Sequence, residues 1–153
     1  MKQDSRLSGV LHVLLHMAEQ EGPATSESLA AAMHTHPVVV RRLMAGLRRA
    51  GFVASEKGHG GGWVLSCPLA SVTLRDIHEA VGSPTLLAVS HRDDQPACLV
   101  EQAVNAALEH AYRDAEALLL ARLGSVTLAA LSRDFHRRML AGGHSQKEID
   151  HEA

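Results

Sequence analysis

Residues 34–65 constrain the fold of this chain more than any other stretch, because a helical pattern, a stop and a glycine-rich hairpin pattern follow one another directly. The helix is predicted from apolar residues at spacings of three and four, which are Val40, Leu43, Met44 and Leu47. Thr35 or His36 can cap its start, and Pro37 suits the first turn, where a backbone N–H has no helical partner. Gly51 marks its end.

Two short strands are predicted after this helix, at residues 52–55 and 62–66. The residues between them include Gly58, Gly60 and Gly61. Glycine permits positive φ angles and leaves no side chain between the backbone and a partner molecule. The pattern therefore predicts a β-hairpin whose thin tip another molecule can approach closely.

A shorter helix is predicted upstream, at residues 26–33, with Thr25 or Ser26 as its cap and Glu27 in its first turn. A turn at residues 34–36 joins it to the longer helix. A short helix, a turn and a longer helix with basic residues on its outer side form the layout of a helix-turn-helix. Together with the hairpin, this predicts a mainly α fold with a small β-hairpin wing. Such a winged helix-turn-helix is expected to bind double-stranded DNA.

Charge is distributed unevenly along the chain. The whole chain has 15 Lys and Arg against 17 Asp and Glu, a net charge of −2. Residues 34–66 have five basic side chains against one acidic side chain, a local charge of +4, whereas residues 67–153 have eight against twelve, −4. A basic helix and wing on an acidic body is the pattern expected for binding a phosphate backbone. The alternatives are arginines that are only solvated, and a winged helix used only for protein contacts.

The rest of the chain predicts further helices and a division into four segments. The helices are predicted at residues 7–20, 73–81, 97–123 and 126–139. The segments are a winged helix-turn-helix domain at 1–82, a linker loop at 83–97, a dimerisation helix with a C-terminal helix at 98–140, and a flexible tail at 141–153. No secretory signal or membrane-spanning stretch is predicted, so we expect a cytoplasmic protein with no membrane partner.

The helix at 97–123 carries a stripe of apolar and small residues that step by four and three, which are Val104, Leu108, Ala111, Ala115 and Leu118. This heptad-like spacing is typical of helices that pair with one another. The alternative is that the stripe packs on the first helix of the same chain. We expect a homodimer, because the DNA sites of such proteins are usually two-fold symmetric.

The sequence contains parts of two enzyme motifs and one histidine pair with a spacing that can bind a metal, but none of these motifs is complete. We therefore expect that the protein is not an enzyme, and we assign no metal ligands. His59-Gly60-Gly61-Gly62 matches the HGGG oxyanion motif of some esterases, but the chain has no Gly-x-Ser-x-Gly elbow. The glycine cluster also lacks the Gly-Lys-Ser/Thr of a phosphate loop. His12 and His16 are spaced for a metal on one helix, but no Glu stands at position 13 for a metalloprotease.

Several blocks of this sequence, in their order along the chain, resemble the Rrf2 family of bacterial transcription regulators. The blocks are Ser5-Arg6-Leu7, Leu29-Ala30, Thr35-His36-Pro37-Val38-Val39-Val40-Arg41-Arg42-Leu43, Leu47-Arg48-Arg49-Ala50-Gly51, Gly58-His59-Gly60-Gly61-Gly62-Trp63-Val64-Leu65, Thr73-Leu74-Arg75-Asp76-Ile77 and Val126-Thr127-Leu128-Ala129. The resemblance implies a homodimer whose recognition helix enters the major groove and whose wing reaches the minor groove. Taken together, these observations lead us to expect a repressor that binds a palindromic operator.

The resemblance implies roles for individual residues. The residues at the helix start or facing base edges are Thr35, His36, Pro37, Val38, Val39 and Arg41. Arg41 could donate two hydrogen bonds to guanine. The implied phosphate contacts, which position the protein without reading sequence, are Ser5, Arg6, Arg42 and Arg48. The implied minor-groove residues of the wing are Lys57, His59, Gly60 and Gly61.

Cys98 is the candidate sensing residue. Many members of the family hold an iron–sulfur cluster on three cysteines in the loop before the dimerisation helix, and this chain has only Cys98 there. We therefore expect no cofactor, and an unusual metal or iron–sulfur site on Cys98 and His12 is the alternative. Cys98 would lie in the first turn of the long helix, where the helix dipole favours a thiolate, so its oxidation could control DNA binding. An inert, packed cysteine is a further interpretation, and Cys67 follows the wing.

Overall fold

Six α-helices and one two-stranded antiparallel sheet make up the part of the chain that the structure describes, which is residues 5–87, 91 and 97–142. The structure is a computed structural model. The helices are α1 (Arg6–Glu19), α2 (Ser26–Ala32), α3 (Pro37–Arg49), α4 (Leu74–Ala80), α5 (Leu99–Leu123) and α6 (Leu128–Gly142). The strands β1 (Val53–Glu56) and β2 (Gly62–Leu65) pair with Val53 opposite Leu65. The predicted mainly α fold with a small hairpin wing is confirmed.

Side-chain caps fix the starts of α2 and α3. Of the two predicted caps for each helix, the chain uses Thr25 for α2 and His36 for α3. The Thr25 hydroxyl accepts a hydrogen bond from the backbone N–H of Ser28 at 3.1 Å. The ring Nδ1 of His36 accepts from the backbone N–H of Val38 at 3.2 Å. Each cap satisfies a backbone donor that has no partner within its helix, so both helices begin at defined residues.

The core is aliphatic, as expected for a chain with only 3% aromatic residues. Its largest fully buried side chains are Leu14, Met44, Leu47, Ile77, Leu128, Val10, Val13, Val40 and Val53. They come from α1, α3, α4, α6 and β1. The start of α6 is attached to the start of α4 by two backbone hydrogen bonds, from Leu74 to Val126 and from Leu128 to Val72, each 2.9 Å long. Helix α6 therefore packs on the same core as the helix-turn-helix.

Helix α5 has 25 residues, and none of them is buried. Within its stripe, Val104, Leu108 and Leu118 are 50%, 43% and 75% exposed, and Ala111 and Ala115 are exposed as well. The alternative that the stripe packs on α1 is therefore wrong for the described chain. Most of the predicted linker and the tail from residue 143 lie outside the described residues. None of the described helices has the length and apolar character to cross a membrane.

Helix α3 packs very closely on the end of α4 at Gly46. This glycine is buried, and a Cβ placed on it would lie far inside contact distance of the backbone oxygen of Ala80. A carbonyl oxygen at a helix end cannot move aside as a flexible side chain can. Gly46 therefore allows α3 to lie close to α4. The position of the outer face of α3 depends on that distance.

We predict that Gly46→Ala destabilises the fold by about 1–3 kcal/mol through overpacking against Ala80. The matched control is Gly9→Ala in α1, where the nearest atom to a new Cβ is the flexible methyl end of Met33 at 3.2 Å. Alanine improves helix propensity by up to about 1 kcal/mol, so Gly9→Ala should leave the stability unchanged or raise it. Urea unfolding followed by circular dichroism measures both variants. Equal stability changes in the two variants would contradict the close-packing argument.

Candidate nucleic-acid interface

The N-terminal half of α3 presents an unusual mixture of side chains to solvent. Val38 and Val39 are apolar yet 49% and 37% exposed, and Arg41 and Arg42 beside them are exposed as well. The opposite face of the helix is buried in the core through Val40 and its apolar neighbours. Apolar side chains can contact thymine methyl groups and arginine can donate to guanine, so this face has the chemistry for reading base edges in a major groove.

All fourteen residues implied to contact DNA lie at the surface. The exposed ones are Ser5, Arg6, His36, Val38, Val39, Arg41, Arg42, Arg48, Lys57, His59 and Gly60. The partly exposed ones are Thr35, Pro37 and Gly61. This placement leaves each of them able to meet a partner.

A basic cleft lies beside α3, and it brings together three arginines that are not neighbours in the sequence. Arg6 of α1 lines it with Arg42 and Arg49 of α3, and its volume is about 570 Å³. The end of α4 forms its other wall, including Glu79, whose carboxylate pairs with Arg75 at 3.0 Å. Three guanidinium groups around one opening make this cleft a suitable place for a phosphate group.

Arg49 is a lining residue of the cleft that was not predicted from the sequence to contact DNA. It stands seven positions after Arg42, two helical turns along the same face of α3, and this spacing was a usable signal. Arg48, which the resemblance implies as a phosphate contact, is exposed but does not line the cleft. Within residues 5–87, 91 and 97–142, Arg42, Arg48 and Arg49 make no ion pair, so their charges are not neutralised by the rest of this part of the chain.

The wing is anchored to the helix-turn-helix at its second strand. Ala24 and Trp63 exchange two backbone hydrogen bonds, 2.9 and 2.7 Å long. The indole N–H of Trp63 also donates to the hydroxyl of Ser26, the first residue of α2, at 3.0 Å. At the tip, Gly58 and Gly60 have φ angles of +98° and +78°, which favour glycine. The wing therefore has a fixed base and a narrow, exposed tip.

The two cysteines lie in different surroundings. Cys98 is the exposed N-cap residue of α5, and its side chain makes no capping hydrogen bond. Cys67 is partly buried against the core, and this burial raises the pKa of its thiol. A raised thiol pKa means less thiolate near neutral pH, so Cys67 is the less reactive thiol on this ground. Cys98 is the one that solvent reaches freely.

His12 is exposed on α1, with its ring against that of His16 at a centroid distance of 4.5 Å. Among the described residues, no group of three or more His, Cys, Asp and Glu side chains is placed to hold a metal ion. The spacing of the two histidines therefore does not extend to a metal centre in this part of the chain.

The fold and the surface of α3 agree with a comparison against protein families. A model of the Rrf2 family, described as an iron-dependent transcriptional regulator, matches residues 3–134. The chain belongs to the Rrf2 family. The predicted resemblance is thereby confirmed, and the chain is a transcriptional regulator. The relatives of this Rrf2 protein are regulators rather than enzymes, as expected.

Individual relatives of this Rrf2 chain support the assignment over most of its length. YwnA of Bacillus subtilis, named as an HTH-type transcriptional regulator, is 29% identical over 125 residues, which are 82% of this chain and 92% of YwnA. The structure of CymR, the global cysteine regulator of Bacillus subtilis, has a TM-score of 0.56 at 27% identity and covers 87% of this chain and 98% of its own. A crystal structure from Lactobacillus plantarum has a TM-score of 0.68 at 23% identity, over 94% and 98% of the two chains, and shows likeness of fold alone.

The description of the family names iron, but the residues of this chain do not fit a cluster held by three cysteines. The chain has two cysteines, Cys67 and Cys98. The first is partly buried beside the wing and the second is the exposed cap of α5. No step of the function proposed below therefore passes through an iron–sulfur cluster.

Proposed function

We propose that this protein is a homodimeric repressor that binds a palindromic DNA operator through α3 and the wing, and that oxidation of Cys98 controls this binding. The observation that carries the proposal is the outer face of α3, where two exposed valines stand beside exposed arginines, while the opposite face of the helix is buried in the core. No burial among the described residues explains this surface, whereas a major groove satisfies both its apolar and its basic parts.

Base reading is assigned to the start of α3. Val38 and Val39 would contact base edges, and Arg41 would donate to guanine, while His36 caps the helix and Thr35 and Pro37 shape its first turn. Support comes from the exposure of these side chains in the first two turns, the part of a recognition helix that usually contacts bases.

Phosphate binding is assigned to the basic cleft and its surroundings. Arg6, Arg42 and Arg49 would hold one phosphate group at the cleft, with Ser5 and Arg48 as further contacts nearby. At the wing, Lys57, His59, Gly60 and Gly61 would contact the minor groove, since the glycine tip is narrow and exposed. These contacts orient the protein on the duplex, and the start of α3 reads the sequence.

Dimerisation is assigned to α5. Its stripe of Val104, Leu108, Ala111, Ala115 and Leu118 is exposed in the single chain, and small residues in its middle allow a second helix to approach closely. A two-fold dimer would present two copies of α3 to two half-sites, which explains why we propose a palindromic operator. A dimer that covers its operator excludes other proteins from it, so we propose repression rather than activation.

Redox control is assigned to Cys98. Peroxide would transfer one oxygen to the Cys98 thiolate, giving a sulfenic acid and releasing hydroxide. The residue is the N-cap of α5, so a change there would act on the helix that joins the two protomers. Its exposure supports this assignment, whereas burial and a raised thiol pKa argue against the same role for Cys67.

Salt dependence tests the phosphate contacts. Each phosphate contact that is lost should reduce the slope of log affinity against log salt by about 1. Each substitution removes one arginine from each protomer, so for a bound homodimer we expect Arg42→Ala and Arg49→Ala each to lower the slope by about 2, measured by fluorescence anisotropy with a duplex selected from a random pool. Arg133→Ala, which removes an exposed arginine of α6, is the control and should leave the slope unchanged. A wild-type protein without salt-dependent DNA binding would point to a winged helix used for protein contacts.

A charged side chain in the α5 stripe tests dimerisation. The wild-type protein should sediment at twice the chain mass of 16.4 kDa, and Ala111→Glu should sediment as a monomer because two carboxylates would face each other in a buried interface. Ala106→Glu is the matched control, since this exposed alanine lies on the opposite side of α5 and should leave the dimer intact. Dissociation by both variants or by neither would refute the stripe as the interface.

Oxidant response tests Cys98. After treatment with hydrogen peroxide at neutral pH, wild-type protein should lose affinity for the selected duplex several-fold and recover it with dithiothreitol. Cys98→Ser should keep its affinity throughout, and Cys67→Ser should behave as wild type because Cys67 is partly buried and this burial raises the pKa of its thiol. A Cys98→Ser protein that responds as strongly as wild type would end the redox assignment.

A further inference from the structure

An ion pair joins the two helices of the helix-turn-helix on their outer side. The guanidinium Nη2 of Arg41 in α3 lies 3.0 Å from the carboxylate Oε1 of Glu27 in α2. The two side chains are 55% and 65% exposed, so the pair lies at the surface rather than in the core. Of the four arginines on α3, Arg41 is the one with an acidic partner within the described residues.

Glu27 is placed by a rigid part of the molecule. It lies in the first turn of α2, which the Thr25 hydroxyl caps. Ser26, directly before it, accepts the hydrogen bond from the Trp63 indole, and Ala24 pairs with the backbone of Trp63. The carboxylate is therefore built on a segment that both the wing and the helix cap hold in place.

A guanidinium held on one nitrogen still has donors to offer. Arginine has five N–H groups in a planar fork, and one of its terminal nitrogens meets Glu27 here. The remaining donors can face a partner outside the protein. A flexible arginine loses rotamer freedom when it binds a base, so an arginine that is already oriented loses less.

We infer that Glu27 is a positioning residue that holds the Arg41 guanidinium in the orientation from which it reads guanine, and that Glu27 thereby sets the sequence specificity of this protein. The inference rests on the proposed function, because it requires α3 to contact base edges. Glu27 acts through Arg41 and makes no base contact of its own.

The two effects of the Glu27 carboxylate have opposite signs, so they can be separated. Its negative charge on the DNA-facing side repels phosphates and lowers the affinity for every duplex. Its hold on Arg41 raises the preference for one base over the others. Removing the charge should therefore strengthen DNA binding in general and weaken discrimination at one position.

The test selects duplexes from a random pool with the full-length protein and sequences the bound fraction. Wild type should prefer guanine at a defined position of each half-site, and Arg41→Ala should lose that preference. Glu27→Gln should bind the whole pool more tightly and reduce the same preference about two- to five-fold, the range expected for an exposed ion pair. Glu56→Gln is the charge-matched control: it removes an exposed carboxylate at the end of β1 in the wing, away from Arg41, and should keep the preference. The double variant Glu27→Gln with Arg41→Ala should show the base preferences of Arg41→Ala alone, because Glu27 acts through Arg41.

Three results would overturn the inference. One is a Glu27→Gln protein that keeps the full preference for guanine. Another is a change at a position that Arg41→Ala does not affect, which would make Glu27 a base contact itself. The third is a double variant with less selectivity than Arg41→Ala alone. If the wild-type protein selects no sequence from the pool, the proposed function fails and the inference fails with it. If the wild-type protein selects a sequence but one of the three results above is observed, only the inference about Glu27 fails.

Discussion

The backbone pairing of Ala24 with Trp63 is the contact on which the rest of the interface depends. A two-stranded hairpin by itself is marginally stable in water, so the wing requires attachment to a larger unit. Two backbone hydrogen bonds and the indole bond to Ser26 supply that attachment at the start of α2. The same short segment carries Glu27 toward Arg41. One junction therefore relates the wing, the scaffold helix and the recognition helix to one another.

Charge is also organised by the structure, since several acidic residues pair with basic residues outside α3, whereas on α3 only Arg41 has an acidic partner within the described residues. On α6, Asp134 pairs with both Arg137 and Arg138 at 2.7 Å, and Arg138 holds the pKa of that carboxyl below its usual range. On α4, Arg75 pairs with Glu79. Such exposed pairs contribute little to stability, but they leave the positive potential concentrated on the face of α3. A chain with a net charge of −2 can thus present a basic surface to a phosphate backbone.

Much of the site was predictable because its determinants are local. The spacing of the apolar residues along α3 predicted which face of the helix is buried. The residues outside this apolar stripe form the exposed face. The sequence predicted two candidate cap residues for α2 and two for α3. The structure shows that Thr25 and His36 make the capping hydrogen bonds. The family resemblance implied Arg48 and not Arg49 as a phosphate contact. Both arginines stand outside the apolar stripe, and sequence alone does not tell which one lines a cleft with Arg6. The cleft that includes Arg49 exists only where α1, α3 and α4 meet.

The sequence by itself determined the order of elements, the basic character of α3 and the glycine tip of the wing. These follow from spacing, composition and backbone freedom within a few residues of each position. Tertiary structure alone decided that Arg6 and Arg49 share a cleft, that Glu27 meets Arg41, and that the described part of the chain leaves the α5 stripe exposed. Each of these depends on the distance between helices that are separate in the sequence, and packing sets that distance, as the close approach at Gly46 illustrates.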